Sequence, residues 1–178
     1  MSDDLKFHDL SSRHYGLTQA IADSYAEAAT VCLDRHHSPD VDFVVEDNGT
    51  TSSASASWPA PVDARTKAAW NNVTDTTEFG AYGIALAAVE HTRGLVAISR
   101  AETRTGADYY IDNPDKPIDD LETSFRLEVS GMESGADAAI RARLKTKIEQ
   151  TKKGASNLPA LACVVAFHAL KISAADAK

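Results

Sequence analysis

Apolar residues recur at helical spacing in three long stretches of this chain and cluster at extended-strand spacing in several others. From Tyr15 to about His36, Leu17, Ile21, Tyr25, Ala28 and Cys32 recur every three or four residues, which predicts an amphipathic helix that stops before Pro39. Residues 41 to 58, VDFVVEDNGTTSSASASW, read as two extended runs around Asp47-Asn48-Gly49. Asn and Gly tolerate positive φ, so this is a tight hairpin, with the Ser- and Ala-rich second run as an edge strand. Pro59 and Pro61 close it, and a short helix follows from Asp63 to Trp70. A second long helix is predicted from Asp75, with Asp75 and Glu78 at capping-box spacing. It carries the uncharged run FGAYGIALAAV, residues 79 to 89, and stops at Gly94. A helix that is apolar all round is buried on most sides, which makes this the central packing helix.

Three extended runs come next: Leu95 to Arg100, Asp108 to Ile111, and Ser124 to Ser130. A polar loop, Asp112 to Glu122, separates the last two. The third long helix spans Ser134 to Lys153, with a stripe of Ile140, Leu144 and Ile148, and Gly154 terminates it. The apolar run LACVVAF after Pro159 suits a strand buried on both faces. The first 14 residues read as loose, and the tail after Ile172 as frayed.

Composition bounds what this chain can do. At 178 residues and 43% hydrophobic it is one globular unit of mixed α/β class. A formal charge of −8 argues against a protein that grips nucleic acid over its whole surface, so such contact needs a local basic patch. Arg141, Arg143, Lys145, Lys147, Lys152 and Lys153 form the one strongly basic stretch; a solvated helix face and a phosphate contact are both open to it. Cys32 and Cys163 lie far apart in apolar runs, as reduced, buried thiols do. No run has the length of a membrane span, and the N-terminus lacks the apolar core of a signal peptide. The expected location is cytoplasmic. A protein partner or a homo-oligomer is compatible with the composition.

The candidate chemistry sits between Gly106 and Gly131. Asp108 precedes Tyr109-Tyr110-Ile111, and Glu128 lies between Leu127 and Val129. Alternation along the strand puts Arg126, Glu128 and Ser130 on one face and Phe125, Leu127 and Val129 on the other. Pairing of the two strands would bring the carboxylates together, and two close carboxylates call for a cation or a shared proton. A structural ion pair of Glu128 with Arg126 or Arg100 is the alternative. His36 and His37 are adjacent and cannot share one helix side, so they make a poor metal site. No P-loop, Rossmann glycine pattern, HExxH or G-x-S-x-G is present.

The order helix, strand, strand, strand, helix, strand over residues 75 to 168, with these acids, resembles the PD-(D/E)XK, or restriction-endonuclease-like, nuclease superfamily. The resemblance implies a core at 75–178 built on a central mixed four-stranded sheet flanked by helices. The helix and β-hairpin of residues 1–74 would be an extension packed on it. It implies Asp108 and Glu128 as ligands of magnesium or manganese, with Glu78 as the acid that many members carry on the first helix. The family's lysine position falls on Ser130. Relatives that take the lysine from the following helix point to Lys147, which lies about 60° from Leu144 on that helix. Ser130, Gln150 and Arg100 would then contact the substrate. The expected activity is metal-dependent hydrolysis of phosphodiester bonds. The alternative is a catalytically inactive nuclease-fold interaction protein, an accessory or inhibitory subunit of a bacterial defence or toxin system.

Overall fold

The uncharged run at residues 79 to 89 forms the middle of the longest helix in a computed structural model that describes residues 4–178. The chain order is α1 (Gln19–Asp34), β1 (Val41–Asp47), β2 (Thr50–Ala56), α2 (Ala64–Ala69), α3 (Val73–Arg93), β3 (Val96–Arg100), β4 (Tyr109–Asp112), β5 (Phe125–Met132), α4 (Asp137–Lys153), β6 (Ala160–Ala166) and β7 (Lys171–Ala177). The α3 helix starts two residues before the expected Asp75. Asn72 takes the cap instead, its side-chain oxygen accepting from the Thr74 and Asp75 amides at 3.0 and 3.2 Å. Glu78 therefore has no capping duty and is exposed. Gly94, at φ 66°, ends the helix in the left-handed conformation that glycine adopts at least cost.

The strands form one sheet in the order β2-β1-β7-β6-β5-β4-β3. The pairs β1–β7 and β5–β6 are parallel and the others antiparallel. This is a mixed α/β fold on a seven-stranded sheet, wider than the four strands expected. Two features widen it. The tail expected to fray is β7, which returns from β6 in antiparallel register, Ala166 opposite Lys171. Lys171 is buried there and pairs with Glu46 at 2.8 Å and Asp137 at 3.3 Å. The β1–β2 hairpin then adds to β7 in parallel, so residues 1–74 and 75–178 share one sheet. Asn48 and Gly49 turn that hairpin with φ of 48° and 84°, as their chemistry predicts.

Helix α3 covers one face of the sheet and α1 packs on α3. Gly80 and Gly83 allow the close approach: a Cβ at Gly80 would lie 3.0 Å from the backbone of Ala29, and one at Gly83 3.2 Å from the carbonyl of Tyr25. The opposite face carries α4, whose Ile140 packs on Val164 and Ala166. Of the first 14 residues, expected to be loose, 1–3 lie outside the described residues and the rest is anchored: Leu5, Phe7 and Leu10 are in the main core. His14 is fully buried, with its Nδ1 accepting from the Ala97 amide at 2.9 Å and its Nε2 donating to Glu90 at 3.0 Å. Both cysteines are free and buried, and burial pushes each thiol up to about 12. No helix among the described residues is long and apolar enough to cross a membrane.

Candidate functional site

Strand β4 is short, and its shortness makes the site. It pairs with β5 only from Phe125 to Leu127, while β5 continues to Met132 beside β6 alone. Past Leu127 the outer edge of β5 is therefore open. A cleft of about 510 Å³ lies over that edge, with α3 residues such as Thr77, Glu78 and Tyr82 on one wall and Arg143 and Lys147 of α4 on the other.

Asp108 stands at the corner where β4 begins. Its backbone N–H donates to the Leu127 carbonyl at 2.8 Å, and its Oδ2 accepts from the Val129 amide at 2.8 Å. The carboxylate thus takes the place of the missing strand for the first unpaired amide of the edge. Its Oδ1 accepts from the Tyr82 hydroxyl at 3.0 Å. That hydroxyl is also 3.2 Å from Glu78, and with one proton it serves one acid at a time. Arg100 lies 4.7 Å above the rings of both Tyr82 and Tyr109 and brings a guanidinium nitrogen to 3.5 Å from Asp108.

Glu128 is the next polar position along the edge, and strand alternation turns it toward α4. Lys147 donates to it at 2.7 Å, with both side chains largely covered. Burial raises the Glu128 pKa first and the charge of Asp108 raises it further, against the opposing pull of Lys147. The two acids therefore sense each other directly. Arg126, considered as a partner of Glu128 from sequence, is buried and donates instead to the carbonyls of Leu158, Thr151 and Thr105.

The other candidates divide. Ser130 lines the cleft beside Glu128, and Glu78 lines it from α3. Arg100 sits outside the lining, tied to Tyr82 and Asp108. Gln150 is exposed and not part of the cleft, one helical turn too far along α4. Of the basic stretch, Arg143 and Lys147 line the cleft, while Arg141, Lys145, Lys152 and Lys153 are exposed.

Tyr82 and Glu133 are among the lining residues not picked out from sequence. Tyr82 lies four residues after Glu78, a spacing that stacks side chains on one helix face and could have linked them. Glu133 closes the far end of the cleft, accepting from Thr77 at 3.0 Å, Arg35 at 3.3 Å and His36 at 2.9 Å. Those partners come from α3 and from the end of α1, so no local pattern signals it. His36 is engaged there, and His37 donates to the Phe167 carbonyl at 2.9 Å.

No family model, curated protein or solved structure matches this chain. Among the described residues no three His, Cys, Asp or Glu side chains stand in a ligating arrangement. The donor set on offer is the Asp108–Glu128 pair, with Glu78 on the facing wall. Hard carboxylate oxygens in that number, with water completing the shell, suit magnesium or manganese and do not suit zinc or copper. The oxygens of Asp108 already accept hydrogen bonds, but each carboxylate oxygen has a second lone pair.

Proposed function

We propose that this protein is a metal-dependent nuclease of restriction-endonuclease-like architecture that hydrolyses phosphodiester bonds. One observation carries the reading: two carboxylates and an ammonium, Asp108, Glu128 and Lys147, meet at the open end of β5 inside a cleft. Lys147 holds Glu128 at 2.7 Å and the half-exposed Arg100 reaches Asp108 at 3.5 Å, yet burial and the charge of Asp108 still push the Glu128 pKa up, the kind of perturbed acid that a cleft uses to hold a cation. The element order also supports it. The β3-β4-β5 meander, the α4 crossover and β6 parallel to β5 follow the strand and helix order of that superfamily's core.

In this reading Asp108 and Glu128 hold a magnesium or manganese ion. When bound, that ion lowers the pKa of a water and offsets charge on the phosphate oxygens. Lys147 takes the role of the lysine that Ser130 cannot fill: its ammonium keeps Glu128 ionised and orients the attacking water. Tyr82 and the Val129 amide fix Asp108. Ser130 hydrogen-bonds within the site, and Arg143 meets a phosphate at the rim.

The test is cleavage of DNA and RNA with magnesium or manganese by the wild type, Asp108→Ala and Glu128→Ala. Metal-dependent cleavage that falls by at least about 100-fold in both variants supports the reading, by the scale of losing a principal electrostatic group. Cleavage that is absent throughout, or that persists in both, refutes it. The second reading, a nuclease-fold interaction protein without activity, draws on the donors already filling Asp108 and on Ser130 at the lysine position. Calorimetry showing no binding of either metal would favour it.

A further inference from the structure

Beside the cleft, aromatic rings follow one another from the acid pair to the surface. Tyr109 adjoins Asp108, and its ring is 5.9 Å from that of Tyr82. Tyr82 is 5.2 Å from Tyr25, Tyr25 is 5.8 Å from Phe79, and Phe79 is 5.6 Å from Trp70. The inner members are buried, but Phe79 is 39% exposed. Phe79 follows Glu78 of the cleft wall directly and precedes Tyr82 by three residues; it lies outside the cleft lining, about 100° around α3 from Glu78, on the side where Tyr25 and Trp70 pack. Its ring is braced by two neighbours, and Trp70 is itself fastened by its indole N–H to Glu27 at 2.6 Å. A braced, exposed ring can receive a flat ligand with little loss of side-chain freedom.

The charges decide which ligand. Glu78, Asp108, Glu128 and Glu133 line the cleft against Arg143 and Lys147, and Lys147 is engaged by Glu128. The whole chain carries −8. Duplex binding rests on a long row of phosphate contacts and the counterions they release, and the cleft lining itself offers two cations against four acids. Stacking of an unpaired base on an aromatic ring adds about 1–3 kcal/mol that needs no phosphate contact.

We propose that the cleft binds single-stranded nucleic acid, one base stacking on Phe79 while the adjoining backbone passes Asp108 and Glu128. This rests on the phosphodiester reading above and narrows its substrate class. The protein reports on the event itself. Of its two tryptophans, Trp58 is buried at 5% exposure and Trp70 adjoins Phe79, so a stacked base quenches Trp70.

The experiment titrates wild type, Phe79→Tyr and Phe79→Leu with oligo(dT), oligo(rU) and a DNA duplex, without divalent metal, following Trp70 fluorescence and the anisotropy of labelled strands. The two oligonucleotides distinguish DNA from RNA. Expected are tighter binding of at least one single strand than of duplex, quenching, and a modest salt dependence. With about three cationic contacts, affinity drops roughly 20-fold between about 50 and 200 mM salt. Phe79→Leu keeps an apolar side chain but no ring, and weakens binding about 5- to 100-fold, whereas Phe79→Tyr retains it. Circular dichroism confirms that the variants are folded. Equal or tighter binding of duplex, or unchanged affinity in Phe79→Leu, overturns the proposal. If duplex is preferred and is cut in a manner that Glu128→Ala abolishes, the nuclease reading survives and this narrower one fails. If no nucleic acid is bound or cut, both fail.

Discussion

Replacing Arg126 with Met should destabilise this fold by about 3–5 kcal/mol, although Arg126 touches neither carboxylate of the cleft. Arg126 is 5% exposed, and its guanidinium has backbone carbonyls as its partners. Nε donates to Leu158 at 3.0 Å, and Nη1 donates to Thr151 at 3.0 Å and to Thr105. Burial pushes the arginine pKa down, the mark of a cation held by dipoles without a full counter-charge. One of those dipoles is the C-terminal turn of α4, where partial negative charge collects. Hydrogen bonds to a charged group are worth about 1.5–3 kcal/mol each. Removing the guanidinium also removes the cost of burying it, which brings the net effect to the range given. Against a typical stability of about 5–15 kcal/mol, that is a large share.

The consequence reaches the site because Arg126 ties the end of α4 to β5, and these two elements carry Lys147 and Glu128. Urea denaturation at neutral pH measures the loss, with an unchanged m-value as the control for two-state behaviour. Hydrogen exchange should show the last turn of α4, around Thr151, opening first. Arg126→Lys keeps a charge but lacks the planar fork that reaches three carbonyls, and should recover less than half of the loss. A Met variant within about 1 kcal/mol of wild type would refute the reasoning, because it would mean that water replaces the guanidinium at all three carbonyls.

Three further outcomes follow from other parts of the molecule. Glu90 is pushed up by burial but held down to about 2 by hydrogen bonds from His14 and Arg13. A depressed carboxylate stabilises the fold above its unfolded pKa, so about 2–3 kcal/mol should be lost as pH falls from about 4.5 to about 2, after allowance for partial exposure; urea titrations of Glu90→Gln should lack this segment of the pH profile. Glu128 has the opposite sign: its raised pKa means that stability declines as pH rises through the folded value. Lys147→Met should raise that pKa further and move the decline to higher pH, seen by carbon NMR titration of the Glu128 carboxyl; an unmoved titration would show that the ion pair is not formed in solution. In Gly131→Ala the new Cβ would run into the Thr77 carbonyl oxygen, forcing α3 off β5. That overpacking should cost about 2–3 kcal/mol and lower Tm by about 5–10 °C in calorimetry.

What the sequence disclosed, and what it hid, follows from the range of the interactions. Periodicity found α1, α3 and α4, because each has a local apolar stripe, and Asn48-Gly49 found the hairpin, because a two-residue turn is a local choice. Strand β7 escaped. KISAADA has few β-formers, and its place is fixed by long-range partners: β6 on one side, β1 on the other, and Glu46 and Asp137 for its lysine. The anchoring of residues 5 to 14 was hidden for the same reason, since His14 and its neighbours are held by Glu90 and Ala97 from elsewhere in the chain.

The site shows the same division within single residues. Glu128 was visible as an acid inside an apolar strand, and Lys147 as a cation at the margin of the α4 stripe, because alternation and helical angle are local. Their meeting at 2.7 Å depends on β5 and β6 being parallel, for it is the parallel crossover that lays α4 across the face on which Glu128 projects. Gln150 failed on the same helix because another turn carries it past the cleft. Asp108 depends on something subtler, the early end of β4. Were β4 two residues longer at its start, its backbone would occupy the Val129 amide, Asp108 would lie inside a ladder, and the cleft over β5 would be closed. The Gly106-Ala107 approach, with Gly106 at φ 70° against the end of α4, prevents that extension. A left-handed residue turns the chain away from the sheet two residues before the acid, so the candidate chemistry is placed by where a strand is made to stop.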